Sequence, residues 1–112
     1  MFVFRLFQFR SPDRDRETDE RRIALVQKTV RSAVADAEAE VTGLRTRIAK
    51  ARTSVTSLLA QIEDDDPDPA CRAQLTSVER RLLAGEQRLA RMKDHLARLR
   101  ELEGVAARLT LA

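Results

Sequence analysis

The sequence predicts an all-α protein, an antiparallel two-helix coiled-coil hairpin. Apolar residues recur at alternating spacings of three and four in both halves of the chain, and the two series mirror each other about an acidic centre that contains two prolines. Alternating three- and four-residue spacing gives a helix a single apolar stripe. Because the stripes are mirrored, they bury each other when the chain turns back at the centre.

The stripe along which the two helices meet, here called the seam, is predicted residue by residue. Its first half comprises Val26, Val30, Val34, Ala37, Val41, Leu44, Ile48, Ala51, Val55, Leu58 and Ile62. Its second half comprises Leu75, Val78, Leu82, Gly85, Leu89, Met92, Leu96, Leu99, Leu102, Ala106 and Leu109. The mirror pairs Ile62 with Leu75 and Ala51 with Gly85, so that paired residue numbers sum to 137 or 136.

The open end of the hairpin requires a choice of register. A strict heptad repeat places Gln27 and Glu103 on the seam, and we therefore predict that the apolar Val26 and Leu102 replace them. This choice creates two consecutive four-residue steps in the first helix and two consecutive three-residue steps in the second. Such breaks change the supercoil locally.

The chain divides into three segments. Residues 1–10 contain all four phenylalanines, and residues 11–22 contain no aliphatic side chain and are either a charged helical strut or a linker. Residues 23–112 form the hairpin, with the turn at about 65–69.

Two capping signals mark the helix starts. Ser11–Pro12 and Asp68–Pro69 each provide a capping side chain followed by proline at the first helical position. We expect the first helix to run from Pro12 or Thr18 to about Asp64, and the second from Pro69 to about Leu109.

Composition favours long helices and argues against a globular sheet domain. Charged residues make up 35% of the chain, Tyr and Trp are absent, and the single cysteine allows no intramolecular disulfide. We therefore expect a cytoplasmic protein. Residues 1–10 are too short and too interrupted by Arg5 for a signal sequence or a membrane span, although they leave peripheral membrane contact open.

The phenylalanine-rich segment is the main candidate for partner binding. A helix there would group Phe2, Leu6 and Phe9 on one side. The segment could dock in a partner's groove, add to a sheet edge, fold against the open end of the hairpin, or lie in a membrane interface. The predicted partner-binding residues are Phe2, Phe4, Leu6, Phe7 and Phe9.

A belt of basic residues lies behind the acidic turn. No acidic residue occurs between positions 43 and 62, and the return arm is again basic. The belt comprises Arg45, Arg47, Lys50, Arg52, Arg88, Arg91 and Lys93. It would contact phosphates if the protein binds nucleic acid, whereas the simpler interpretation is an ordinary charged coiled-coil face.

No residue pattern predicts catalysis, a cofactor or a metal site. His95 and Cys71 are the only residues of their kinds and are separated by 24 positions, about 36 Å along one helix. The acidic turn lacks the glycine and the spacing of an EF-hand loop.

The leading functional hypothesis is a non-enzymatic structural or adaptor protein that binds a protein partner. Extra apolar residues beside the seam suggest that two hairpins could form a homodimer, a four-helix bundle. These residues are Leu25, Leu59, Leu83 and Val105. The alternatives are a nucleic-acid-associated protein that uses the basic belt, and an accessory protein of secretion or export, a stalk or escort, by analogy of fold alone.

Overall fold

The computed structural model describes residues 11–64 and 68–110 and confirms the all-α hairpin. Helix α1 spans Pro12–Asp64 (53 residues) and helix α2 spans Pro69–Ala107 (39 residues). At 1.5 Å per residue, α1 is about 80 Å long. The two helices pack side by side along α2, so the described part of the chain is a rod with a single seam.

Both helices start at the capping signals. The hydroxyl oxygen of Ser11 accepts a hydrogen bond from the backbone N–H of Arg14 (3.2 Å), and the Asp68 carboxylate accepts one from the N–H of Ala70 (3.1 Å). A proline follows each cap, where its missing N–H leaves no bond unmade. Residues 12–22 are thus the first three turns of α1, and α2 ends two residues before the predicted Leu109.

The seam keeps a strict heptad repeat throughout the described helices. Val26 and Leu102 are 47% and 51% exposed, whereas Gln27 and Glu103 are half-buried, so the predicted replacement at the open end is wrong. The Gln27 amide donates a hydrogen bond to the carbonyl oxygen of Ala106 (2.9 Å), in the last turn of α2. Carbonyls of a last turn lack intrahelical α-type partners, which explains how a polar residue is accommodated here.

The core consists of a central cluster and further buried seam residues on either side of it. The central cluster is Val34, Ala37, Val41, Leu44, Met92 and Leu96, with Leu89 and Leu99 packed against it. Val30, Ile48, Leu58, Val78 and Ala106 extend the core towards both ends. Because a two-helix rod can bury only this stripe, the hairpin's stability depends on each of these side chains.

The pairing of the helices differs from the predicted mirror by half a heptad. A Cβ built on Gly85 would lie 3.2 Å from Cγ1 of Ile48, with no other side chain than that of Ile48 within 4 Å, so the pairing of Gly85 with Ala51 is wrong. The numbers 48 and 85 sum to 133, as do 27 and 106, the pair joined by the Gln27 hydrogen bond. The predicted sums were 136 and 137.

Among the described residues, three ion pairs cross the seam beside the core. Arg52 pairs with Glu86 (3.0 Å), Arg100 with Glu38 (3.3 Å) and Arg88 with Glu40 (2.8 Å). Their numbers sum to 138, 138 and 128, which lie symmetrically about 133. Exposed pairs contribute at most about 1 kcal/mol each. We infer that they select this register among alternatives that bury the same apolar residues.

Candidate functional site

The predicted basic belt does not form one surface, because α1 presents it on two flanks of the seam. Arg47 directly precedes the seam residue Ile48, whereas Arg52 directly follows Ala51. At 100° per residue, these positions fall on opposite sides of the apolar stripe. Arg47, Lys50 and Arg88 line one flank, and Arg45, Arg52 and Lys93 belong to the other. Arg91 is exposed and is not a groove residue.

The first flank contains an open groove of about 520 Å³ between the helices, here called the cationic groove. Its apolar part is formed by seam residues around the contact between Ile48 and Gly85. Its rim carries four cations, Arg47, Lys50, Arg81 and Arg88. The groove is therefore apolar at the base and positively charged at the edge.

Two of these arginines face each other across the seam. Arg47 lies one heptad after Glu40, and Arg81 lies one heptad before Arg88, so the pair of arginines occupies the same relative position as the Glu40–Arg88 ion pair. Glu40 holds Arg88 through two hydrogen bonds, of 2.8 and 3.2 Å. Within the described residues, neither Arg47 nor Arg81 forms an ion pair. Because they carry like charges, Arg47 and Arg81 repel each other.

A second groove of about 290 Å³ continues along the same flank, towards the open end, and is here called the acidic groove. Asp36 and Glu40 of α1 line it, together with His95 of α2. Arg88 lines both grooves, which places them side by side on one face of the rod. This face thus changes from negative to positive charge along α1.

Sequence reasoning missed Arg81 and Asp36 as site residues. Arg81 is not one of the seven belt residues, although its position seven residues before Arg88 was a usable signal. Asp36 is followed closely by Glu38 and Glu40, but its sequence neighbours do not show which flank of the helix it occupies. Only the flank that it shares with Glu40, Arg47 and Lys50 connects it to the site.

The other residues singled out in the sequence are the phenylalanine-rich segment, Cys71 and His95. Phe2, Phe4, Leu6, Phe7 and Phe9 lie outside the described residues. The Cys71 thiol, half-buried near the turn, donates a hydrogen bond to the side-chain oxygen of Gln61 (3.6 Å), and His95 is exposed far along the same helix. In residues 11–64 and 68–110, no group of His, Cys, Asp and Glu has the geometry to hold a metal ion.

Comparison with known proteins leaves the fold and the grooves as the only guides to function. No protein family model matches the chain, and no curated protein or solved structure is significantly similar to it. Among the described helices, none combines the length and apolar character that crossing a bilayer requires.

Proposed function

We propose that this chain is a non-enzymatic coiled-coil adaptor that binds a protein segment carrying both apolar and acidic side chains. The observation that supports the proposal is the cationic groove, in which Arg47 faces Arg81 above an apolar base. Carboxylates from a partner would remove the repulsion between the two arginines, and an apolar side chain would cover the apolar base of the groove.

The shape of the site favours a helical partner. The cationic groove is open and follows the rod axis, so it can accept side chains that recur along one face of a helix. Catalytic sites, in contrast, are usually enclosed pockets that hold titratable groups with perturbed pKa values. Nucleic acid has less support as a partner, because the belt is divided between two flanks and Arg52 and Arg88 already bind carboxylates.

The test uses a fluorescently labelled amphipathic helical peptide built from Leu and Glu, and a matched peptide in which Lys replaces Glu. Of the two peptides, we expect only the acidic one to bind the intact chain, and we expect its affinity to fall as salt is added. The double variant Arg47→Glu/Arg81→Glu should lose at least tenfold in affinity.

The matched control reverses the same number of charges on the opposite flank, in Arg45→Glu/Lys93→Glu, and should keep most of the affinity. Equal losses in the two double variants would show that only net charge matters and would contradict a groove site. A labelled DNA duplex serves as the competing probe. Salt-sensitive DNA binding without peptide binding would favour the nucleic-acid alternative.

We also propose that the phenylalanine-rich segment is a second docking element, as its composition suggests. Pull-downs with the intact chain and with a chain lacking residues 1–10 would test this independently of the groove. The expected result is loss of at least one partner with the shorter chain, while binding of the acidic peptide is unchanged. Identical partners from both chains would refute the role of the segment.

A further inference from the structure

We propose that a second copy of this chain supplies the carboxylates that the cationic groove attracts, through antiparallel contact of the two α1 helices about Gly43. This inference rests on the proposed function, since it assigns a partner to the same groove. The surface through which two copies associate is then a strip of α1 that lies outside the seam, here called the strip.

The strip is self-complementary when it is read in opposite directions. Its residues recur at spacings of three and four, as coiled-coil contact positions do. In chain order they are Ala33, Asp36, Glu40, Gly43, Arg47, Lys50 and Ser54. The order is small, acid, acid, glycine, base, base, small. A two-fold axis near Gly43 therefore sets the acidic half of each copy against the basic half of the other, as an isologous interface requires.

The structure places both halves of this strip on one face of the hairpin. Arg47, Lys50 and Ser54 line the cationic groove, and the acidic groove beside it is lined by the acidic half, Asp36 and Glu40. Within the described residues, Asp36, Arg47 and Lys50 form no ion pair. Asp36 and Lys50, unpaired in one copy, would thus face each other across the axis, while Arg47 would lie opposite Glu40, which Arg88 of its own chain already holds.

Gly43 lies at the centre of the strip and has no packing role within one hairpin. A Cβ added at Gly43 would meet no atom within 4 Å, apart from the surrounding backbone of α1 itself. A glycine in a helix interior costs about 1 kcal/mol relative to alanine. Close approach of a second helix backbone is a function that glycine serves and larger residues prevent.

The positive charge of α2 on this flank explains why the two copies make contact through α1. On the same flank, α2 contributes Arg81 and Arg88 to the rim, both cationic. Two α2 helices brought together by this flank would repel each other. The dimer therefore differs from the four-helix bundle predicted from Leu25, Leu59, Leu83 and Val105, which are 44–64% exposed on the described hairpin.

The experiment is sedimentation velocity on the full chain at low and high salt. We expect a species of twice the 12.7 kDa chain mass at tens of micromolar, with dissociation favoured by salt. The single variants Asp36→Lys and Lys50→Asp each place like charges across the interface. Each should raise the dissociation constant at least tenfold.

Two rescue experiments distinguish loss of charge pairing from general damage to the fold. The double variant Asp36→Lys/Lys50→Asp restores opposite charges across the two-fold axis and should dimerise again. An equimolar mixture of the two single variants should form a heterodimer. Positions 36 and 50 are about 21 Å apart along α1, so neither rescue can arise within one chain. Failure of both rescues would overturn the inference.

Gly43→Leu gives an independent reading, because leucine favours helix while its bulk separates the two copies. The dissociation constant should rise at least tenfold, whereas Ala39→Leu, exposed and outside the strip, should have little effect. A wild-type chain that stays monomeric at 100 µM (an assay concentration of about 10⁻⁴ M) would refute the inference. In that case, loss of acidic-peptide binding in the Arg47→Glu/Arg81→Glu variant would still support the proposed function.

Discussion

Gly85→Ala tests the helix register through its effect on stability, and Gly43→Ala supplies the reference. Alanine in place of glycine stabilises a helix interior by about 1 kcal/mol. At Gly43 the new methyl group meets nothing within 4 Å, so we expect the full gain. At Gly85 the methyl carbon would lie 3.2 Å from Cγ1 of Ile48, closer than ordinary van der Waals contact, and at an ordinary 3.8 Å from Cδ1.

The magnitude follows from the side chain that must move. Ile48 is only 5% exposed, and its branched Cβ limits it to one preferred rotamer in a helix. Displacing it by a few tenths of an ångström towards the groove costs about 0.5–1 kcal/mol, as a strained rotamer does. We therefore expect Gly85→Ala to raise the free energy of unfolding by only about 0–0.5 kcal/mol, clearly less than Gly43→Ala.

The assay is urea unfolding followed by far-UV circular dichroism. Each variant is measured at a concentration where sedimentation shows a monomer, because Gly43 lies in the proposed dimer interface. Equal stabilisation by the two substitutions would refute the reasoning. It would mean that Ile48 does not lie against Gly85, and the pairing with Ala51 would have to be reconsidered.

Five further substitutions, at four positions, test the described packing in the same unfolding assay. Met92→Ala should lower the free energy of unfolding by about 2–4 kcal/mol, because Met92 is 3% exposed in the core cluster. Leu102→Ala, at a half-exposed site, should lower it by less than about 0.5 kcal/mol. The reverse order would contradict the strict heptad. Gln27→Ala should cost about 1 kcal/mol and speed amide exchange at the end of α2, through loss of the bond to Ala106; unchanged exchange would argue against that bond. Asp68→Ala should cost about 1 kcal/mol and Asp68→Asn only a few tenths, since asparagine also caps; equal losses would indicate a role of the charge instead.

The fold class was predictable because its signals are local and mutually consistent. A cap followed by proline at Ser11–Pro12 and at Asp68–Pro69 is sufficient to start a helix, whatever the helix packs against. The two apolar stripes then identify which face of each helix is buried. Residues such as Met92 and Leu96 were assigned correctly because they repeat with their neighbours at three and four.

The open end was predicted wrongly because hydrophobicity was weighted above the repeat. Val26 and Leu102 were chosen over Gln27 and Glu103, but in the structure the heptad repeat of buried positions continues and the valine and leucine remain exposed. Gln27 tolerates its seam position because its amide reaches the carbonyl of Ala106. A hydrogen bond between residues 79 positions apart cannot be read from a sequence pattern.

The candidate site was predictable only in its parts. Arg47, Lys50 and Arg88 were recognised as basic residues near the turn, and Ala51 and Gly85 were recognised as seam residues. Their combination into one groove with Arg81 required knowledge of which flank each residue occupies and how the helices are offset. Charge in a linear sequence carries neither kind of information.

By itself, the amino-acid sequence determined that this protein consists of two long helices, where they begin, and which stripe of each is apolar. Tertiary structure decided how far one helix slides along the other. Heptads repeat every seven residues, so sliding by half a heptad buries nearly the same apolar side chains and changes the hydrophobic free energy little. The choice is made by local fits, such as Ile48 against Gly85 and Arg88 on Glu40, which exist only once both helices are in contact.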